Sequence, residues 1–199
     1  KLLLVGAESA PARHFRVSKS PALIGLSQNE ISCTFKRLFD LNLDPYTRQF
    51  QYRLLNNNKF FNRRLFKFTL TDSPRCSFCL LEQETIEHAY LHCTKIKQLW
   101  TGLESWWNNI MEATPIKFTD TIILLGTDET LLNVFLIDAK IQIYHARKQG
   151  TPPDIKKIIN TFTRRRAVEE VKAKRTFKLM EHKIKWSKII KYQQSPIEI

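Results

Sequence analysis

Glycine is scarce in this sequence, with five among 199 residues. That argues against a sheet-rich fold full of tight turns and favours helix. Long hydrophobic runs are missing too. No segment approaches the roughly 20 apolar residues that span a bilayer, so no membrane association is expected. Leu2-Leu3-Leu4-Val5-Gly6 is too short and lacks the tripartite build of a secretory signal. Cysteine is limited to four residues. Without a secretory signal they do not read as a disulfide framework, and a reducing, intracellular compartment is expected. The chain opens on Lys1 rather than Met, which suggests a piece of something longer. Neither internal repeats nor low-complexity tracts occur.

Acidic residues are scarce in two particular places. Residues 45–68 hold six Lys or Arg and no Asp or Glu, and residues 147–191 hold fifteen against four acids. The formal net charge is +13, so the rest of the chain is slightly acidic. Segregated charge of this kind fits a nucleic-acid footprint better than a uniformly solvated surface.

What is present is mostly helical patterning. Ser27 and Glu30 have capping-box spacing, and Ile31, Phe35, Leu38 and Phe39 behind them share a helical face. Asp44-Pro45 reads as N-cap and first residue of a helix over about 45–55, with Tyr46, Phe50 and Leu54 on one side. Asn56-Asn57-Asn58 breaks it, and a short helix over about 59–67 follows. Residues 95–112 form an amphipathic helix through Ile96, Leu99, Trp100, Leu103 and Trp107. The Ile122-to-Gly126 segment is a strand or a buried turn. Asp128 is placed to cap a helix over about 129–148, which Gly150 and Pro152-Pro153 stop. From Asp154 to about Lys191 the sequence predicts one long basic helix, with Val168, Val171, Phe177, Ile184 and Trp186 as a loose apolar stripe. The fold class expected is mainly α. An irregular segment at 1–26 precedes a helical region at 27–113, and a helical tail fills 114–199.

Three cysteines and two histidines crowd into residues 75–93 as Cys76-x2-Cys79-x8-His88-x4-Cys93. A Cys-x2-Cys turn presents two thiolates on one knuckle, and tetrahedral zinc takes four such soft or borderline ligands. A helix starting near Thr85, with Glu84 and Glu87 suiting its positive end, would aim His88 at that knuckle. Cys93 then closes the set, and no position is left for substrate or an activated water. His92 competes with His88 but adjoins Cys93, so His88 is favoured. A thioredoxin-like redox pair would need a strand-to-helix turn absent from this region; three buried, unliganded cysteines are the other alternative. Cys33 lies in an apolar helical stretch and reads as a core residue.

With its flanks, this segment resembles the zinc-binding region downstream of the polymerase in non-LTR (LINE-type) retrotransposon reverse transcriptases. The resemblance is carried by Tyr52-Arg53-Leu54-Leu55, Cys76 and Cys79, Glu84-Thr85-Ile86-Glu87-His88, Cys93 and Trp100. Leu124-Leu125-Gly126, Lys140 through Ile143-Tyr144 to Arg147, Pro152-Pro153, Arg166 to Glu169 and Lys185-Trp186 extend it to roughly residues 45–190. It implies a Cys2HisCys structural Zn2+ site in a helical chain that closes a polyprotein behind its polymerase domain. Such a tail would help hold template RNA or target DNA, in a nuclear or cytoplasmic ribonucleoprotein. No two aspartates are adjacent, so the metal-holding pair of a polymerase palm is missing and the chain alone is not expected to be an enzyme.

Nucleic-acid binding needs cations for phosphates and flat side chains for bases. The candidate contacts are Arg48, Arg53, Arg63, Arg64 and Lys67 in the first basic block, and Arg164, Arg165 and Arg166 in the second. Arg164–Arg166 could instead be a solvated helix surface or a nuclear-import patch, but phosphate contact is favoured. Phe50, Phe60 and Phe61 read as core. Pro153-Asp154 with Glu170-x-Lys172 loosely mimics a metal-dependent nuclease pattern, but in helix-prone sequence. A module that docks the polymerase or an acidic partner is the remaining alternative.

Overall fold

The computed structural model describes residues 23–194. The irregular segment expected at 1–26 lies outside them except for its last four residues. Eight α-helices are described: α1 (Gln28–Asp40), α2 (Pro45–Leu55), α3 (Asn62–Lys67), α4 (Thr94–Met111), α5 (Asp120–Leu125), α6 (Thr130–Gln149), α7 (Ile155–Arg175) and α8 (Leu179–Gln194). A five-residue π-helical turn, His88–His92, precedes α4. Among the described residues no β-strand forms, and no helix is long and apolar enough to cross a membrane.

Local signals start several of these helices. The Ser27–Glu30 capping box is closed in both directions, and the Asp44 carboxylate accepts the Thr47 N–H one turn into α2. At the other end of α6, Gly150 adopts φ +65°, a left-handed cap costly for a residue with a β-carbon. The α6 N-cap is Glu129 rather than Asp128. Its side chain takes the Leu132 N–H, while Asp128 turns outward to pair with Arg37 of α1 at 3.1 Å.

Helix α6 is the axis of the core, buried on every side from Leu131 to Ile141. It packs against α2 and α7, and α4 lies against α7 and α8. Aromatic rings tie these helices together. Trp107 meets Phe135 at 5.2 Å between centroids, Phe135 meets Phe162 at 5.1 Å, and Phe162 meets Trp186 at 4.9 Å. Each such pair contributes about 1 kcal/mol beyond area burial.

Three expectations change here. The Ile122-to-Gly126 segment is neither strand nor bare turn but the end of α5. Its last carbonyls are capped from afar: Lys140 Nζ of α6 donates to Ile123 O at 2.7 Å, and Gln51 Nε2 of α2 to Leu124 O at 2.9 Å. Gly126 closes it at φ +86°, and a β-carbon there would sit 2.6 Å from Asn133 Oδ1. The basic tail is a helical hairpin, not one long helix. Phe177 turns it with φ +56°, and Lys178 N–H reaches back to Ala173 O at 2.9 Å. Glu169 latches the two arms by accepting from Lys185 Nζ at 2.7 Å and Trp186 Nε1 at 3.0 Å. The buried apolar positions are therefore Ile158, Phe162, Ala173, Trp186 and Ile189, whereas Val168, Val171, Phe177 and Ile184 of the expected stripe are exposed. Cys33 is exposed too. The inner face of α1 is set by Ile31, Thr34, Phe35 and Leu38, and Cys33 falls on the opposite side of the helix.

Candidate metal centre

The Cys76–Cys79 turn is built by its own backbone. Cys76 N–H donates to Glu82 O at 2.7 Å, Leu80 N–H to Cys76 O at 3.0 Å, and Leu80 takes φ +60° to close the turn. Thr85 then starts a helical segment, its Oγ1 accepting the His88 N–H at 3.0 Å. From His88 that segment widens, and Cys93 N–H bonds back to His88 O five residues earlier. The widening has a purpose. In an α-helix, residues five apart point about 140° away from each other; an i→i+5 turn swings them towards one side. Trp100 holds the turn in place by donating Nε1–H to Tyr90 O at 2.6 Å.

The outcome is that one ligand atom each of Cys76, Cys79, His88 and Cys93 lies within 4.8 Å of the others. Cys76 Sγ and Cys93 Sγ are 3.9 Å apart, and Cys79 Sγ is 3.3 Å from His88 Nε2. Tetrahedral zinc with bonds of about 2.3 Å to sulfur and 2.0 Å to nitrogen requires edges of about 3.8 and 3.5 Å. The donor set therefore fits. Glu82 Oε2 lies 3.2 Å from His88 Nδ1, at ion-pair distance though without hydrogen-bond alignment. A carboxylate there suits a ring whose Nε2 faces a metal. His92 is exposed and stands apart from the cluster.

The electrostatics point the same way. Burial pushes the Cys76 thiol up to about 12; the N–H groups of Cys79 and Phe78 resist, and nearby Cys93 adds to the rise. Burial also opposes the Cys79 thiolate, but N–H groups of Glu82 and Leu81 and the His88 ring outweigh it, bringing it down to about 6. Three converging sulfurs ionise together only when a cation shares the site. Four protein ligands fill the tetrahedron, so a zinc ion here is structural and its binding energy is folding energy.

Glu84 was expected at the helix's positive end, and its actual place is more consequential. It is fully buried and accepts from Arg147 Nε at 2.6 Å, Asn62 N–H at 3.0 Å and Ser77 N–H at 3.0 Å. Arg147 also donates to Asn62 Oδ1 at 2.7 Å, and Asn62 Nδ2 donates to Arg75 O at 2.8 Å. One carboxylate thus bolts the knuckle to α3 and to α6. The sequence carried both residues in the motifs that suggested a family, but nothing local announces their pairing across 63 positions.

The expected nucleic-acid contacts separate into two kinds. Arg53, Arg63, Arg64, Lys67 and Arg164 are exposed, and among the described residues none of them pairs with a carboxylate. Arg64 lies on the Phe60 ring at 4.5 Å and donates to Asn57 O. The others are committed elsewhere. Arg48 donates to Leu41 O and Leu43 O behind α1. Arg165 forms a two-pronged pair with buried Asp138 at 2.6 and 2.7 Å and reaches Thr47 Oγ1, so its charge is spent inside the fold. Arg166 faces Glu170 at 3.5 Å. Phe50 and Phe61 are core, whereas Phe60 is 42% exposed.

Lys59 and Lys148, absent from the expected set, stand over the Tyr144 ring at 4.5 and 5.0 Å. Burial lowers the Lys59 pKa, and the charges of Arg53 and Lys148 lower it further. His145 is lowered by burial and by Lys148, Lys157 and Lys59. Convergence of distant cations left no local signal, although both lysines sit in or beside the basic blocks. The nuclease trio does not assemble. Asp154 caps α7, and Glu170 lies roughly 24 Å further along that helix, paired with Lys174 at 2.8 Å.

Residues 22–100 match the sequence model of the family described as zinc-binding in reverse transcriptase. Neither the curated proteins nor the solved structures yield a match. The matched span contains all four residues of the metal cluster. The stretch built around the knuckle is thus similar to the zinc-binding region of reverse transcriptases, an accessory region distinct from the polymerase palm, and its Cys76, Cys79, His88 and Cys93 cluster fits a structural Zn2+ site.

Proposed function

We propose that this chain is the nucleic-acid-holding tail of a non-LTR retrotransposon reverse transcriptase. It follows the polymerase domain of the same polyprotein and catalyses nothing by itself. Its task is to grip template RNA or target DNA during target-primed reverse transcription, within a nuclear or cytoplasmic ribonucleoprotein. One observation carries the reading. Lys59 and Lys148 stand together over Tyr144, with the Arg53 charge near enough to Lys59 to lower its pKa, and none of the three has a carboxylate partner among the described residues. A fold bears unpaired like charges this close at a cost, and an arriving polyanion removes that cost. Exposed Arg63, Arg64 and Lys67 continue the strip from α3 along the knuckle. The zinc cluster and the Glu84–Arg147 bolt fix the relative positions of these two basic regions.

Binding of a labelled oligonucleotide, followed by anisotropy across a salt series, tests this. With about four phosphate contacts, affinity should fall roughly a hundredfold between 50 and 200 mM salt. Lys59→Ala with Lys148→Ala should flatten that slope. Absence of salt-sensitive binding to either RNA or DNA would sink the reading. Docking of the polymerase or of an acidic partner is a second reading. It is favoured by Val168, Val171, Phe177, Met180 and Ile184, all exposed on the basic hairpin, with Phe177 98% exposed at its tip.

A further inference from the structure

Between α3 and the Thr85–Glu87 wall of the knuckle runs an open groove of about 380 Å3. Lys59, Arg63, Arg64 and Lys67 line it, together with Phe68. Cations alone would track a phosphate backbone and nothing more. The aromatic rings are the informative part. Phe68 is 53% exposed, and its neighbour Phe60 sits 6.0 Å away between centroids, tilted by 43°. Arg64 and Phe68 both line the groove, and Phe60 adjoins them, its face under the Arg64 guanidinium. Phe60 lies just before α3 and Phe68 just after it, so the two exposed rings come side by side at the ends of that helix. Of the two acids in the lining, Glu84 and Glu87, the first is neutralised by Arg147.

We infer that this groove receives one unpaired nucleotide of a single-stranded RNA or DNA segment. Its base stacks on Phe68 and its flanking phosphates meet Arg63, Arg64 and Lys67. This inference rests on the nucleic-acid reading above and adds strand state and seat. Volume sets the number of residues held. At about 380 Å3 the groove is near the lower end of small-ligand pockets, which suits one base with its sugar and not a duplex. A base inside a duplex keeps both faces stacked on its neighbours and cannot offer one to Phe68. The groove is also rigidly placed. Asn62 N–H and Arg63 N–H are both bonded to Glu84, at the carboxylate and the carbonyl respectively, so α3 and the knuckle wall move as one body.

Anisotropy titrations with a fluorescent single-stranded RNA, the same sequence as single-stranded DNA, and the corresponding DNA duplex test the inference at fixed salt. Phe68→Ala should weaken both single strands about tenfold, the loss of one base-on-aromatic stack, and the duplex less than twofold. Phe68→Tyr should restore single-strand binding, because the ring is what matters. Phe68 is exposed, so unchanged zinc content and circular dichroism serve as the folding check. The tighter wild-type single strand names the source of the ligand. Equal losses on single strand and duplex, or no loss on either while wild type still binds, would overturn the groove assignment and leave general nucleic-acid binding standing. Failure of the wild-type chain to bind any of the three would overturn both.

Discussion

His88 and Cys93 reach one point because the turn between them is wider than an α-helix, and this is where single residues decide the most. Thr85 starts that turn, Trp100 braces it, and the Cys76–Cys79 knuckle meets it with two sulfurs. Each ligand is therefore held by groups that have no metal contact of their own. Purified protein should carry one zinc per chain by plasma mass spectrometry. Cys76→Ser, Cys93→Ser and His88→Ala should each lose it, while His92→Ala should keep it, since His92 is exposed and is not part of the cluster. Retention in His88→Ala with loss in His92→Ala would reassign the fourth ligand. The spacing of the cysteines and the choice of His88 over His92 were readable from the chain. The π-helical turn was not, because an i→i+5 turn has no composition of its own.

At the scale of elements, α5 shows how tertiary partners overrule local preference. Six residues make a helix only because Lys140 and Gln51 satisfy its final carbonyls from α6 and α2. Lys140 does so 1% exposed, and burial lowers its pKa to about 7. In the unfolded chain a lysine titrates at about 10.4. Between those values the unfolded state binds more protons, so this group makes stability rise with pH from about 7 to about 10; below 7 the full penalty of a buried charge applies. Urea unfolding of wild type and Lys140→Met across pH 6–10 isolates it. The wild type should gain on the variant as pH rises, whereas a constant difference would mean that the buried amine stays charged. The hairpin of α7 and α8 teaches the same point. Helix-prone composition ran unbroken through Thr176–Lys178, but Glu169 has partners only when the chain doubles back to Lys185 and Trp186.

Across the whole molecule, the Glu84–Arg147 pair links the zinc-binding stretch to the helical body. Both groups are buried, and Asn62 closes the network towards α3. Removing one partner leaves the other charge without compensation, which costs about 3–5 kcal/mol. Arg147→Met should therefore lower unfolding free energy by about that much in denaturant titrations. Combining it with Glu84→Gln should cost less than the sum of the two single changes. Strict additivity would show that the residues act separately. The pair lies outside local pattern, since neither periodicity nor capping relates residue 84 to residue 147.

Caps, turn-breaking residues, helical periodicity and the order of metal ligands act over a few positions, so the sequence by itself determined a helical chain with a Cys2HisCys cluster and two basic blocks. The physical reason is that neighbours along the chain satisfy those constraints. Which cations remain free was decided only by tertiary structure. Arg165 and Arg147 are drawn inside by Asp138 and Glu84, whereas Lys59 and Lys148 are brought together over Tyr144 by the packing of α6 beside the α2–α3 connection. The same packing buried Phe50 and Phe61 and left Phe60 and Phe68 beside the groove. A charge or a ring has one identity in sequence, but its availability depends on every element that folds against it.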